Sequence, residues 1–157
     1  MATFEVSLAT ADDAIGVGDS MRKQDQEEVW ASGRWTPVGV CLNSYRISQM
    51  TYTWLVNGIP CALFGVAKLT NIENGGSPWM LGTQAVDDYP VQVLRVSKKW
   101  VAEMKSRFTY LENWVYSKNE TSIRWLKDWC GFNIGEPMPY GTCGEKFCMF
   151  NWRKEDV

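Results

Sequence analysis

The 157-residue chain contains no histidine, and that one absence removes imidazole from every catalytic role. Ser/His/Asp and Cys/His relays, the HExxH metal site and imidazole acid–base chemistry are all excluded. Proton transfer must then run through carboxylates, Tyr, Cys, Lys or the backbone. A Walker A lysine loop and a GxGxxG turn are also missing, which argues against nucleotide hydrolysis and dinucleotide redox chemistry. The five cysteines (Cys41, Cys61, Cys130, Cys143, Cys148) are odd in number and form no CxxC pair. Neither a disulfide framework nor a Cys-rich zinc site is supported, no metal is expected, and the thiols read as small buried hydrophobes. No stretch approaches about 18 consecutive apolar residues, and the opening "MATFEVSLATADD" has neither a basic n-region nor an apolar h-region, so no membrane segment is expected. A net charge of −2 offers no basic face for counterion release, which excludes a general nucleic-acid binder.

No charge block or low-complexity run interrupts the sequence. With 45% hydrophobic and 22% charged residues it reads as one globular domain over 1–157. What it has in excess is aromatic mass, nine Trp, six Tyr and six Phe. These are expected to fill a small core, with the remainder available as partner hot spots.

Along the chain, "TFEVSLA" reads as a short alternating strand, and "TADD" starts a helix with Thr10 as N-cap and Asp13 at N3. That helix runs toward Gly33 with a bend where Gly16 and Gly18 weaken it. Thr36 and Pro37 open a second helix. "TYTWLVNGIPCALFGVAKL" is a hairpin, since Asn57-Gly58 between two apolar, β-branched and aromatic runs suits a type I′ turn. A third strand ends near Gly82. "DDYPVQVLRVSKKWVAEMKSRF" is an amphipathic helix with Val91, Leu94, Val101, Met104 and Phe108 near one face, acidic residues before its start and Lys105 and Arg107 in its last turn. "FTYLENWVY" is an aromatic strand, "NETSIRWLKDWCGF" a helix capped by Asn119 and stopped at Gly131, and two last strands flank "YGTCGE".

The resulting fold class is α+β in the order βααβββαβαββ. That order, with a strand leading into an Asn-headed helix that ends in Gly-Phe, resembles the GNAT N-acetyltransferase superfamily. "EEVWASG", "PWMLGT", "SKKWVAEM" and "NETSIRWLKDWCGF" together resemble the small GNAT-like proteins of tailed bacteriophages, a group that includes internal virion proteins of podophages. The likeness extends from about Phe4 to Phe150.

The resemblance implies a mixed sheet with a splayed parallel strand pair, one strand ending near Gly82 and the other near Tyr116, and acetyl-CoA or CoA wedged in the opening. Met80, Leu81, Gly82 and Thr83 would supply the strand edge, and Asn119 and Ser122 would flank the thioester arm. Arg95 and Lys99 would meet CoA phosphates. Glu27 and Glu28 lie in the region bordering the acceptor in this superfamily, and Glu28 is the candidate base, with Glu112 as an alternative. "LGTQAVDDYPVQVLR" departs from the superfamily's Arg/Gln-x-x-Gly-x-Gly/Ala phosphate loop. The usual acid tyrosine is replaced by Leu126, which leaves Tyr116 as the candidate proton donor. Three roles stay open on this reading: a phage acyltransferase acting on a host protein or metabolic enzyme, a non-catalytic virion component with a GNAT shell, and a binding module that inhibits a host enzyme through surface tryptophans. The location implied is the host cytoplasm or the virion, and a homodimer is expected by analogy with the superfamily.

Overall fold

The computed structural model describes residues 1–155. Its sheet runs in the order β1-β2-β3-β4-β5-β8-β6, with β7 also paired to β8. β1 (Phe4–Leu8), β2 (Ser48–Val56), β3 (Ile59–Lys68) and β4 (Gly75–Gly82) form an antiparallel meander. Asn57 (φ 52°) and Gly58 (φ 76°) both adopt positive φ at the β2–β3 turn, as the type I′ geometry requires. β5 (Tyr110–Tyr116) lies parallel to β4, and β8 (Lys146–Arg153) returns antiparallel to β5. β6 (Asn133–Ile134) and β7 (Met138–Pro139) are two-residue strands against β8.

Helices cover both faces. α1 (Ala11–Asp19), α2 (Lys23–Gly33) and α3 (Pro37–Ile47) precede the meander. The bend expected in the first helical stretch is a full break, so the sequence order is corrected from two helices to three. α1 ends where the Ser20 N–H closes on Val17 O, and Met21 then bridges to Thr83 at the end of β4. The Met21 pairing draws the backbone out of helical geometry and sets the start of α2 beside the β4 terminus. α1 opens with a full capping box between Thr10 and Asp13, and Thr36 caps α3 with Pro37 in its first turn.

The other face carries α4 (Ala85–Asp88), α5 (Pro90–Arg107), α6 (Glu120–Arg124) and a π-helical turn over Trp125–Trp129. A single helix was expected from Asn119 to Gly131. It widens midway, with the Cys130 N–H reaching Trp125 O at 3.1 Å. Its ends follow expectation, since Asn119 Oδ1 accepts the Ser122 N–H and Gly131 sits at φ 72°. Of the five positions expected on the apolar face of α5, Val101, Met104 and Phe108 are buried, whereas Val91 in the first turn is 53% exposed.

The aromatic excess is mainly core. Trp54, Phe64, Trp100, Phe132 and Phe150 pack between the sheet and α5, while Val17, Cys41, Leu63 and Leu81 form a second cluster under α1 and α3. Four of the five free cysteines are buried, and Cys143 is half-exposed. Trp30, Trp35 and Trp129 are the exposed tryptophans among the described residues. No described helix is long and apolar enough to cross a membrane.

Candidate active site

β4 and β5 pair only at their first residues, Gly75 with Tyr110 and Gly76 with Leu111. Beyond that point the parallel strands diverge. A side chain at Gly76 would collide with Val66 and Phe108, so glycine permits the close approach at the apex. Asn113 Nδ2 spans the start of the gap and donates to Pro78 O at 2.7 Å.

Strand geometry then decides which backbone groups face the opening. Hydrogen-bonding direction alternates along an antiparallel strand. Thr83 donates its N–H to Cys61 O across the β3 side, so Leu81 and Trp79 also turn toward β3, and Pro78, Met80 and Gly82 turn toward β5. Pro78 O is taken by Asn113. Gly82 is satisfied at both groups, its N–H by Asp25 Oδ2 at 2.8 Å and its C=O by the Arg22 N–H at 2.9 Å. Met80 alone of the three presents an N–H and a C=O to the open gap.

A cavity of about 820 Å³ passes through the splay. On the α5–α6 face it is lined by Val93, Ser97, Thr121, Ser122 and Trp125, and on the α2–α3 face by Glu28, Ser32, Trp35, Trp79, Trp114 and Tyr140. The opening therefore joins the two faces of the sheet.

Glu28 is anchored at this junction. Its Oε1 accepts the Tyr116 backbone N–H at 2.7 Å. Burial pushes its carboxyl up to about 7, against the stabilising hydrogen bond from Tyr116, and the nearby Asp25 charge pushes in the same direction as burial. A carboxylate poised near neutrality suits a general base. Glu27, one residue away, is exposed and lies 3.9 Å from Lys23.

Tyr116 enters the site through its amide. Its ring packs on Phe147, its hydroxyl donates to Glu145 Oε2 at 3.3 Å, and its side chain is not part of the cavity wall. The structure does not bring the hydroxyl expected as proton donor into the cavity wall: Tyr116 shares the sheet face of Trp114 but lies two residues further along β5, where its ring is held on Phe147 and its hydroxyl by Glu145. Tyr140 is the tyrosine that sequence reasoning missed. It lines the cavity and stacks on Trp114 with 4.5 Å between ring centroids. Only the "YGTCGE" turn signal pointed to its loop.

The remaining candidates divide. Met80, Leu81 and Ser122 line the cavity; Gly82, Thr83 and Asn119 adjoin it through backbone and capping bonds without forming its wall. Arg95 and Lys99 are exposed on α5 and do not line it. The helical repeat turns Val93 and Ser97 inward, which carries those two cations outward. Glu112 accepts the Tyr110 hydroxyl at 2.7 Å and also lies outside the wall.

At the far end of β4, where phosphates would approach a helix N-terminus, the chain supplies its own anion. Asp87 Oδ1 lies 2.9 Å from Arg22 Nη1, and Gln24 Nε2 donates to Asp87 Oδ2 at 3.1 Å. Arg22 Nε is 3.1 Å from Asp25. Burial works against the Arg22 charge, but Asp25 and Asp87 outweigh it and push the guanidinium up. The splay and the Met80 edge thus fit the amide-bearing arm of a CoA thioester. The Asp87 end does not fit its diphosphate, since the Gly82 amide there is taken by Asp25 and the neighbouring cation, Arg22, is already paired with Asp25 and Asp87.

No protein-family model and no curated protein matches the sequence. Solved structures match it over almost its whole length. It is similar to Ard1 from Thermoplasma volcanium, with a TM-score of 0.74, 13% identity and coverage of 98% of this chain and 99% of that one. It is similar also to yncA from Salmonella typhimurium, solved with its cofactor acetyl-CoA, with a TM-score of 0.70 and 11% identity over 98% and 95% of the two chains. The ribosomal-protein-S18-alanine N-acetyltransferase from Escherichia coli gives 0.67 and 14% over 99% and 96%. At these identities the likeness is one of fold: the chain has the mixed α+β fold of GNAT acetyltransferases, splayed parallel pair included.

Proposed function

We propose that the chain is a phage acyltransferase that moves an acyl group from a CoA thioester to an amine on a host protein or metabolite. The observation that carries this reading is the cavity through the β4–β5 splay, with the Met80 N–H and C=O on its edge and the Glu28 carboxylate fixed at its α2 side. A thioester entering along β4 and an amine entering from the opposite face meet there. The amine nitrogen bonds to the acyl carbon and gives its proton to Glu28, the C–S bond breaks, and Glu28 passes that proton through water in the cleft to the departing thiolate, which restores the carboxylate. The phage setting, the host target and action in the host cytoplasm or from the virion are supported by the sequence resemblance.

The test is a thermal melt with and without acetyl-CoA or CoA. A ligand at about 100 times its dissociation constant adds roughly 2.7 kcal/mol, and about 2 to 4 °C per kcal/mol gives a rise of several degrees. An unmoved midpoint would remove the thioester from this reading. A second reading, a non-catalytic shell packaged in the particle or inhibiting a host enzyme, is favoured by Asp87 at the phosphate end and by Leu126 where active relatives carry a tyrosine. It requires the unmoved midpoint.

A further inference from the structure

The α2–α3 wall of the cavity carries a distinct chemistry. Trp35, Trp79, Trp114 and Tyr140 supply aromatic surface around the Glu28 carboxylate, with neutral groups such as Ser32 and Asn43 between them, while the second carboxylate of α2 on this wall, Asp25, is engaged by Arg22 and the Gly82 N–H. Trp79 is fixed by donating Nε1 to Ser48 Oγ at 2.7 Å, and Trp114 by its stack on Tyr140. Among the described residues, Arg22 and Arg124 are the basic side chains that line the whole cavity. Arg22 is engaged by Asp25 and Asp87, and Arg124 belongs to α6 on the opposite face. Glu112 shares the sheet face of Trp114, two residues away on β5, and its charge acts on the Tyr140 hydroxyl. Glu145 stands at the Tyr116 hydroxyl.

A wall of this kind attracts a cation and an apolar body and repels an anion. Aromatic faces carry negative quadrupole potential toward a cation, and a half-buried carboxylate gives a charge-assisted hydrogen bond to an ammonium group. An incoming carboxylate or phosphate would meet Glu28 with no free guanidinium or ammonium to receive it.

We infer that the acceptor is a small arylalkyl primary amine without a negative charge, its nitrogen at Glu28 and its ring against Trp35, Trp79 and the Trp114–Tyr140 pair. The inference rests on the acyl-transfer reading of this cavity, but it is tested without any thioester. The full chain is titrated at about pH 8, where Glu28 is ionised and an alkylamine is protonated, with 2-phenylethylamine and with its anionic counterpart phenylacetate, following tryptophan fluorescence and heat of binding.

The amine is expected to bind about tenfold or more tightly than the acid, the equilibrium effect of one hydrogen bond to a charged group. Glu28→Gln keeps the shape of the side chain and should erase the preference, whereas Trp35→Ala should weaken the amine without inverting it. Equal binding of acid and amine, binding of neither, or a preference that survives Glu28→Gln overturns the inference. Acetyl-CoA is then added. A wild-type preference for the amine with no acetylation of it leaves the recognition intact and removes the transfer reading. Acetylation of an acidic acceptor such as glutamate, with none of the amine, does the opposite.

Discussion

The Tyr116 backbone N–H donates to Glu28 Oε1 at 2.7 Å, tying the end of a strand to the middle of a helix 88 residues earlier in the chain. This one bond fixes a carboxylate where the β4–β5 gap opens, and it does so with main chain, so the identity of the Tyr116 side chain is free to serve packing. Removing the carboxylate should therefore cost far more than removing the tyrosine hydroxyl.

Glu28→Gln should lower kcat/KM by about 10²- to 10⁴-fold, the usual worth of a positioned base. In the wild type the rate should climb as pH rises through about 7, where Glu28 loses its proton beside the Tyr116 amide, the Asn119 side chain, Asp25 and Arg22. The stability effect has the opposite sense. Because the folded value is raised from 4.5 to about 7, the unfolded chain holds fewer protons than the folded one in that window, and stability contributed below 4.5 is lost as pH rises through it. Melting curves of the Gln variant should lack this decline between those two values, and an identical decline in both proteins would show that Glu28 does not titrate there.

Tyr116→Phe should change activity by less than about tenfold, well short of a lost proton donor, because the amide that holds Glu28 is kept and the hydroxyl serves Glu145. Steady-state rates of the variant measure this directly. A collapse of kcat would return the hydroxyl to the chemistry.

Asp87→Asn should tighten CoA binding by about tenfold, since one pairing lost by Arg22 within the protein becomes available to a phosphate. The gain should shrink with added salt and be absent for pantetheine, which carries no phosphate. Calorimetry on the two proteins decides it, and an unchanged or weaker affinity would mean that Arg22 stays with Asp25 whatever occupies the neighbouring position.

Gly141→Ala should destabilise by about 1 to 3 kcal/mol. Gly141 has φ 75°, and a methyl group there would run into the Ser32 carbonyl of α2. The glycine lets the loop bearing Tyr140 close onto α2, so the variant should also lose amine affinity. A wild-type melting curve would contradict the close approach.

Features closed within a few residues were legible beforehand. The Thr10–Asp13 box, the Thr36 and Asn119 caps, the Asn57-Gly58 turn and the Gly131 stop each join atoms at most six positions apart, so composition and spacing specify them without knowledge of the rest of the chain. Element order followed from these punctuation marks, and with it the superfamily resemblance, the fold class and the splayed pair. The break between α1 and α2 was not legible, because Met21 leaves the helix to bridge Thr83, a partner set by tertiary pairing.

The absence of histidine, the pattern of capped helices and alternating strands, and the α+β order were thus determined by the sequence itself, since each depends on residue identity or on local geometry. The resemblance pointed to Glu28, Met80, Leu81 and Ser122, but tertiary structure decided how they are arranged around the cavity. Glu27 and Glu28 are chemically equal neighbours until the helix turns one toward solvent and the other into the gap. Met80 is distinguished from Leu81 only by which side of β4 its amide faces. Arg22 meets Asp87 across 65 residues and Asp25 meets Gly82 across 57, distances along the chain at which no spacing rule operates and only the packing of α2 against the end of β4 selects the partner.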